Sequence, residues 1–207
     1  LYQLTLAHDI AAVAPTCHAL CDAAKLARKL RPFSGKVVTL SRARDAYLES
    51  CTSVAAAPDG RIITGSNHAA VTMWRDGACV WTIQHAAAWT STNSIVAVAV
   101  LPGARVVSVA SAGSVRMWTL DGEPEHNFEM GSSVRCAAVL PDGVHFVAGL
   151  NDHIEDDAHA YEVRLYHVDG TLVHAFKGHT ACVDAVAVTR DGQHIISGSF
   201  DFLVKVW

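Results

Sequence analysis

From about residue 51 to the last residue, short apolar runs rich in β-branched residues alternate with turns that contain glycine or proline. Isoleucine- and valine-rich runs occupy residues 61–66, 105–110, 145–150 and 194–199. Each is followed by a run that ends in an aromatic residue, at 71–74, 115–118, 163–166 and 204–207. Runs of this length and composition predict β-strands. Most of the neighbouring turns contain Asp-Gly, which accepts the positive φ of tight hairpins, so the pattern predicts repeated antiparallel hairpins.

Further runs complete each repeat. Small apolar residues predict first strands at 54–57, 95–100, 134–140 and 183–188. Outer strands are predicted at 79–83, 127–128 and 172–176, with 37–40 as the outer strand of a preceding repeat. The aromatic recurs every 41 to 48 residues, as Trp74, Trp118, Tyr166 and Trp207. Four strands in a period of about 40–45 residues are typical of a β-propeller blade. Small residues suit its crowded innermost strand, where one column is predicted to face inward: Ser53, Ala97, Cys136 and Ala185.

The last repeat carries a more specific signature. Gly178-His179 opens it, Ser197 and Asp201 lie within it, and Trp207 ends it. Through these residues the chain, over about 36–207, resembles the WD-repeat family. The resemblance implies that His179, Ser197, Asp201 and Trp207 form one hydrogen-bonded network inside the blade. Each neutral bond of such a network contributes about 0.5–1.5 kcal/mol.

The first three repeats depart from this signature. The position of Asp201 is taken by His68, Ala112 and Ala160, and the Gly-His pair survives only as Gln84-His85. We therefore expect these blades to rely on packing. The predicted fold class is all-β, a WD-repeat β-propeller of about four blades plus an extra outer strand, preceded by a short α-helical segment. Because four blades are near the minimum for closure, the chain is expected to be a piece of a larger propeller.

Residues 1–32 have a different pattern. They are alanine-rich with helical periodicity, and Pro15 divides them into two pieces. One apolar stripe contains Ile10, Val13, Cys17 and Leu20. This stretch resembles the second half of an F-box, which implies that those four residues lie on helices that bind the adaptor of a cullin-type ubiquitin ligase. The alternative is a helical hairpin that packs against the propeller. Either interpretation predicts two domains, 1–32 and 36–207.

Composition narrows the classes of partner. The net charge of −4 gives no electrostatic footprint for nucleic acid or for an anionic membrane. No apolar run is long enough to span a bilayer. The six cysteines lack a CxxC pair or a regular framework, which favours free thiols in a reducing compartment. We therefore predict an intracellular protein of the cytoplasm, the nucleus or both, with no cofactor.

Candidate binding residues lie on loops at one rim of the predicted propeller. In the third repeat, the loop between the second and third strands has twelve residues, 151–162, where the others have four. It is acidic and contains His153 and His159, but their spacing fixes no ligand geometry, so no metal site is predicted. The alternative is a solvated, mobile loop. The predicted partner-binding rim comprises Thr52, His68, Trp89, Arg135, Asp152, His153, Glu155, Asp156, Asp157, His159 and Asp184.

Binding is favoured over catalysis. The sequence has no nucleophile elbow, no paired catalytic carboxylates and no phosphate-cradling loop. The leading prediction is a scaffold for other proteins or peptides, and more sharply a substrate-recognition subunit of a cullin-type ubiquitin ligase. The alternative is a structural subunit of a signalling, trafficking or RNA-processing assembly. An enzyme on a propeller scaffold is a third interpretation, which the small apolar first strands disfavour.

Overall fold

The structure is a computed structural model that describes residues 50–85, 93–151 and 161–207. These residues form fifteen β-strands in four antiparallel sheets, here called blades 1 to 4. Blade 1 contains β1 (Cys51–Ala56), β2 (Ile62–Ser66), β3 (Ala70–Arg75) and β4 (Ala78–Gln84). Blade 2 contains β5 (Ile95–Leu101), β6 (Arg105–Ala110), β7 (Ser114–Thr119) and β8 (Pro124–Glu129). Blade 3 contains β9 (Val134–Val139), β10 (His145–Leu150), β11 (Val163–His167) and β12 (Leu172–Phe176). Blade 4 contains β13 (Val183–Val188), β14 (Ile195–Ser199) and β15 (Val204–Val206).

Within each blade the strands pair in chain order, which confirms the predicted β-propeller arrangement. The described part is all-β and contains no helix, so within it no helix could span a membrane. Strand ends differ from the predicted ones by up to three residues. The largest error at an outer strand is β8, because its backbone pairing with β7 continues to Pro124 although the residues before Phe128 are exposed. The predicted strand at 37–40 and the helical segment at 1–32 lie outside the described residues.

The blades pack through their first strands, since β1 contacts β5, β5 contacts β9, and β9 contacts β13. In blades 1 and 3 the second strand carries glycine where the first strand of the next blade approaches it. A Cβ on Gly65 would lie 2.4 Å from Ile95 Cγ2, and one on Gly149 would lie 2.7 Å from Val183 Cγ1. Three apolar clusters fill the space between successive blades. The largest of them, between blades 2 and 3, includes Phe146 stacked on Tyr166 at 5.5 Å.

The small-residue column lies against the neighbouring blade. Ser53, Ala97, Cys136 and Ala185 each pair with the second strand of their own blade. The Sγ of Cys136 donates to the carbonyl of Val183 in blade 4 at 3.4 Å. Burial raises the pKa of this thiol to about 12, so it stays protonated at neutral pH. The small side chains therefore let adjacent first strands lie in contact.

Blade 4 contains a continuous hydrogen-bonded relay. Trp207 Nε1 donates to Ser197 Oγ at 2.9 Å, and Ser197 Oγ lies 2.8 Å from His179 Nε2. His179 Nδ1 lies 2.7 Å from Asp201 Oδ2, which also accepts the backbone amide of Thr180. With Nδ1 protonated, every donor in the relay has an acceptor. Burial alone would raise the pKa of Asp201, but the bonds from His179 and the backbone outweigh it and lower the pKa to about 2.

The expectation that blades 1 to 3 rely on packing is wrong for blades 1 and 2. In blade 1, Trp74 Nε1 donates to Thr64 Oγ1 at 2.9 Å. In blade 2, Trp118 Nε1 donates to Ser108 Oγ at 3.0 Å. These bonds survive because each second strand carries a hydroxyl two residues beyond the position that pairs with the tryptophan. Blade 3 has alanine and tyrosine at those positions, and there Tyr166 packs against aromatic rings instead.

Blade 2 keeps a histidine as well. His85 is completely buried, with Nε2 lying 3.1 Å from the carbonyl of Ser108 and Nδ1 lying 3.3 Å from Ser114 Oγ. Ser114 therefore provides the contact that the aspartate makes in blade 4. Blade 2 thus has a hydroxyl where blade 4 has a carboxylate. No charge in this contact therefore offsets the cost of burying an imidazolium. Burial lowers the pKa of His85 to about 4.

Candidate interaction site

Each first strand contains a β-bulge at its second residue. In blade 1, Cys51 pairs with Ser66 and Ser53 with Gly65, so Thr52 has no partner in β2. The same shift leaves one residue unpaired in every other blade. The four bulged residues are Thr52, Val96, Arg135 and Asp184. A bulge redirects a side chain and strengthens the local twist, and bulges are common beside binding sites.

The bulges lie near the rim that carries the loops between second and third strands. Thr52 serves the contact between blades 1 and 2, because its hydroxyl lies 2.6 Å from the carbonyl of Ile95. It is also 3.1 Å from the carbonyl of Gly65. A single hydroxyl hydrogen cannot bond fully to both acceptors, and the shorter contact joins the blades. Thr52 is therefore used structurally, whereas the other three bulged residues border an open groove.

Arg135 and Asp184 form an ion pair between blades 3 and 4. Arg135 Nε donates to Asp184 Oδ1, and the guanidinium lies 5.2 Å from the ring centroid of Phe200. The hydrogen bond with Asp184 raises the pKa of Arg135, which keeps it charged. Both side chains are roughly half exposed. An exposed pair of this kind adds little to stability, about 0–1 kcal/mol, so its main effect is to hold two opposite charges at a defined place.

A groove of about 560 Å³ runs across the rim of blades 2, 3 and 4. Its charged and polar side chains include Ser94, Ser133, Arg135, Asn151 and Asp184. Apolar side chains also line it, namely Val96, Ala112 and Val134. Mixed lining of this kind suits recognition of a chain segment, because hydroxyl and amide groups can pair with its backbone while small apolar residues allow close contact.

Both stems of the loop insertion in blade 3 are fixed by hydrogen bonds. Asn151 lines the groove, and its backbone amide donates to the carbonyl of Ser133 at 3.0 Å. The side-chain Oδ1 of Asn151 accepts a hydrogen bond from Cys182 Sγ. At the other stem, the carbonyl of Glu162 accepts the amide of Leu150 at 3.0 Å. The buried carboxylate of Glu162 is 2.8 Å from Arg164 Nε and 3.6 Å from Lys177 Nζ.

The structure brings some predicted rim residues together and separates others. Arg135 and Asp184 are in contact, while Thr52 lies in blade 1 and does not line the groove. His68 is in the blade 1 turn, and its backbone amide donates to Ser66 Oγ at 3.3 Å. The remaining predicted positions lie outside the described residues: Trp89, Asp152, His153, Glu155, Asp156, Asp157, His159 and the helical Ile10, Val13, Cys17 and Leu20.

Several groove residues had no distinguishing signal in the sequence. Ser94, Ser133 and Asn151 look like ordinary loop residues, although all three immediately flank predicted strands at the same end. Phe200 lies beside Asp201 in the turn before the last predicted strand, and an aromatic residue in a turn could have marked it. Among the residues that the structure describes, no group of three or more histidine, cysteine, aspartate or glutamate side chains could hold a metal ion.

The comparisons with known proteins agree with the fold. Residues 170–207 match the family model described as WD domain, G-beta repeat. The chain thus contains a WD repeat within a β-propeller arrangement, and the matched repeat is the one that contains the relay of blade 4. The matched segment includes no part of residues 1–32, and the F-box resemblance finds no support in these comparisons.

Two proteins with related sequences each match about half of the chain. The ribosome biogenesis protein WDR12 homolog of Brugia malayi is 28% identical over 107 residues, which are 49% of this chain and 24% of that protein. Cilia- and flagella-associated protein 52 of Sus scrofa is 23% identical over 107 residues, which are 50% of this chain and 16% of that protein. The matched region therefore spans a quarter or less of each relative's length.

Proposed function

We propose that this chain is a protein-interaction scaffold whose rim groove holds a segment of another protein. The observation that supports this most is the joining of three bulged positions, Val96, Arg135 and Asp184, in one groove across three blades. Bulges recur at the same place in every blade, so the fold presents one redirected side chain per blade to the rim. Variation among those side chains is a simple way to build a specific binding surface.

The groove suits binding better than chemistry. Its one ion pair is exposed, and Arg135 and Asp184 neutralise each other. A general acid or base needs a pKa near neutrality and a position beside a reacting group. The arginine is displaced in the opposite direction, toward a higher pKa. We therefore propose no catalytic role for it. The wider rim proposed from the sequence also includes His68, in the turn of blade 1, together with Trp89 and the acidic insertion, which lie outside the described residues.

Blocking the groove tests this function. Ala112 is exposed, lies in the turn between β6 and β7, and lines the groove, so Ala112→Trp should fill space there without disturbing the core. Ala78 is exposed in the outer strand of blade 1 and provides a matched control, Ala78→Trp. Partner proteins captured from cell extract by the unmodified chain should be lost with Ala112→Trp and retained with Ala78→Trp. Equal capture by both variants would contradict a role for the groove.

A finer proposal makes this protein a substrate-recognition subunit of a cullin-type ubiquitin ligase. It rests on the apolar stripe of residues 1–32, with Ile10, Val13, Cys17 and Leu20 as the adaptor-binding positions. The scaffold would then act by proximity, bringing a target to a separate enzyme. The test is co-purification of the ligase adaptor with the chain, with and without residues 1–32. Failure of the folded, undeleted chain to bind the adaptor removes this proposal and leaves the groove unaffected.

The alternative is a fixed subunit of a larger assembly. One relative is named as a ribosome biogenesis protein and another as a cilia- and flagella-associated protein, which favours this interpretation. Such a subunit would co-purify with constant partners in fixed proportion and would not bind the ligase adaptor. Size-exclusion chromatography of the captured complexes, followed by quantitative mass spectrometry, separates the two. Both versions place the protein inside the cell, in the cytoplasm or the nucleus.

A further inference from the structure

We propose that a partly open cavity between blades 2 and 3 is a binding site for a small, neutral aromatic molecule, about the size of a benzene ring. The inference does not depend on the proposed function, because the cavity shares no lining residue with the rim groove. Three features favour such a ligand: the origin of the cavity in the repeat, the polarity of its lining, and its size.

The cavity lies where blade 3 departs from the pattern of the other blades. Ala137 pairs with its second strand at the position that Val54, Val98 and Val186 occupy in blades 1, 2 and 4. Val98 and Val186 each pack into the apolar cluster between their own blade and the preceding one. At the junction of blades 2 and 3 the corresponding side chain lacks two methyl groups, and Ala99 on the facing strand β5 is equally small. The unfilled space therefore follows from the sequence of this junction.

The described lining provides no polar side chain. All nine residues that line the cavity are alanine, valine or phenylalanine. Val107, Val109 and Phe146 form its buried floor and lie in central strands that pair on both sides, so their backbone groups already have partners. A polar ligand would give up hydrogen bonds to water and find no replacement on this floor. A neutral, apolar ligand is therefore favoured.

The size and shape of the cavity suit a single ring. It encloses about 130 Å³, and an apolar cavity of about 150 Å³ takes up benzene. Sites for drug-sized ligands start at about 300 Å³, so such ligands are too large. Phe146 lines the cavity, and its ring can make offset-stacked or edge-to-face contact with a second ring, which favours an aromatic ligand. Ala97 and Ala137 of the first strands are partly exposed, so the ligand can enter from that side.

The test uses benzene and pyridine, two rings of the same shape that differ by one polar nitrogen. Binding to the full chain is followed by NMR of the valine methyl groups and the phenylalanine rings. Benzene should cause saturable shifts, with nuclear Overhauser contacts to Val107, Val109 and Phe146. Pyridine should bind about twofold to thirtyfold more weakly, which corresponds to the cost of burying one unpaired polar atom.

Two variants that fill the cavity from facing strands localise the site. Ala137→Val and Ala99→Val each add two methyl groups to the lining, and each should weaken benzene binding by about tenfold or more. Ala56→Val makes the same change in the first strand of blade 1, away from the cavity, and should leave binding unchanged. Ala112→Trp, in the rim groove, should also leave it unchanged, so failure of the proposed function would not affect this result.

A further probe, N-acetylleucinamide, tests the other occupant, which is an apolar side chain of a partner protein. It should bind more weakly than benzene, because its amide groups would lie beside an apolar lining. Tighter binding of N-acetylleucinamide than of benzene would assign the cavity to a protein side chain and overturn the proposal. The proposal also fails if benzene shows no saturable binding, if pyridine binds as tightly, or if Ala137→Val and Ala99→Val bind benzene as well as the unmodified chain does.

Discussion

His85 is an ionisable residue with no exposed surface. Its Nδ1 lies near a serine hydroxyl, whereas the equivalent His179 lies against a carboxylate. Burial disfavours the imidazolium, and the nearby Arg116 disfavours it further, so the pKa falls from 6.5 to about 4. The serine hydroxyl beside His85 carries no charge that could offset this cost of burial.

A pH dependence of stability follows from His85. As pH falls below 6.5, His85 becomes protonated in the unfolded chain, whereas in the folded chain it stays neutral until about pH 4. The free energy of unfolding should therefore be constant above this range and fall within it, by on the order of 3 kcal/mol. Urea unfolding at several pH values measures it. In His85→Asn, the fall in the free energy of unfolding that His85 causes should be absent. The other histidines contribute equally to the pH dependence of both proteins. Parallel profiles for the two proteins would refute the assignment.

At the scale of the blade, the hydroxyl of Ser197 on the second strand of blade 4 connects Trp207 to His179 in the hydrogen-bonded relay. Ser197 accepts from Trp207 and lies next to His179, and both Ser197 and His179 are buried. Ser197→Ala would leave the buried His179 Nε2 and the partly buried Trp207 Nε1 without this partner, and an unsatisfied buried group costs about 1–3 kcal/mol. Ser197→Thr keeps the hydroxyl, and Thr64 has that role in blade 1. Thermal unfolding should show a large loss for alanine and a small one for threonine. Equal losses would mean that volume, and not the relay, determines stability here.

Sequence periodicity predicted the blades well because turns and strand alternation are local properties. Asp-Gly pairs and the spacing of Trp74, Trp118, Tyr166 and Trp207 locate the hairpins without any knowledge of the neighbouring blade. The sequence also placed Arg135 and Asp184 in the predicted partner-binding rim. It could not show that they are bulged, because a bulge exists only relative to the register of the paired strand.

Contacts between blades were harder to predict than the blades themselves. Arg135 and Asp184 touch although 49 positions separate them in the chain. Ser114 replaces an aspartate that normally lies elsewhere in the turn, so matching residues position by position misses it. Such substitutions depend on which side chains reach the same point in space. Residues 1–32, 86–92 and 152–160 lie outside the described part, so the predictions that concern them stay predictions.

Over the whole molecule, stability depends on the junctions between blades, since each blade buries its faces against its neighbours. The junction of blades 2 and 3 contains the largest apolar cluster and also a partly open, mainly apolar cavity of about 130 Å³. Ala97, Ala137 and Val139 are among the residues that line it. Small residues allow the first strands to approach each other, and at this junction they leave space unfilled. Lining atoms beside an empty volume lose dispersion contacts.

Filling that space should stabilise the chain. Ala137→Val adds two methyl groups toward the cavity from β9, and a gain of about 1 kcal/mol is expected, which is typical of cavity-filling changes. Valine also suits a strand position. Ala56→Val is the matched control, because Ala56 is exposed at the equivalent innermost strand of blade 1 and borders no described cavity. Chemical denaturation should show a higher midpoint for Ala137→Val and an unchanged midpoint for the control.

A lower midpoint for Ala137→Val would mean that the cavity cannot accept the valine rotamer, since overpacking typically costs about 1–3 kcal/mol. A rise in both variants would instead trace the gain to strand propensity, and the junction between blades 2 and 3 would then not limit stability.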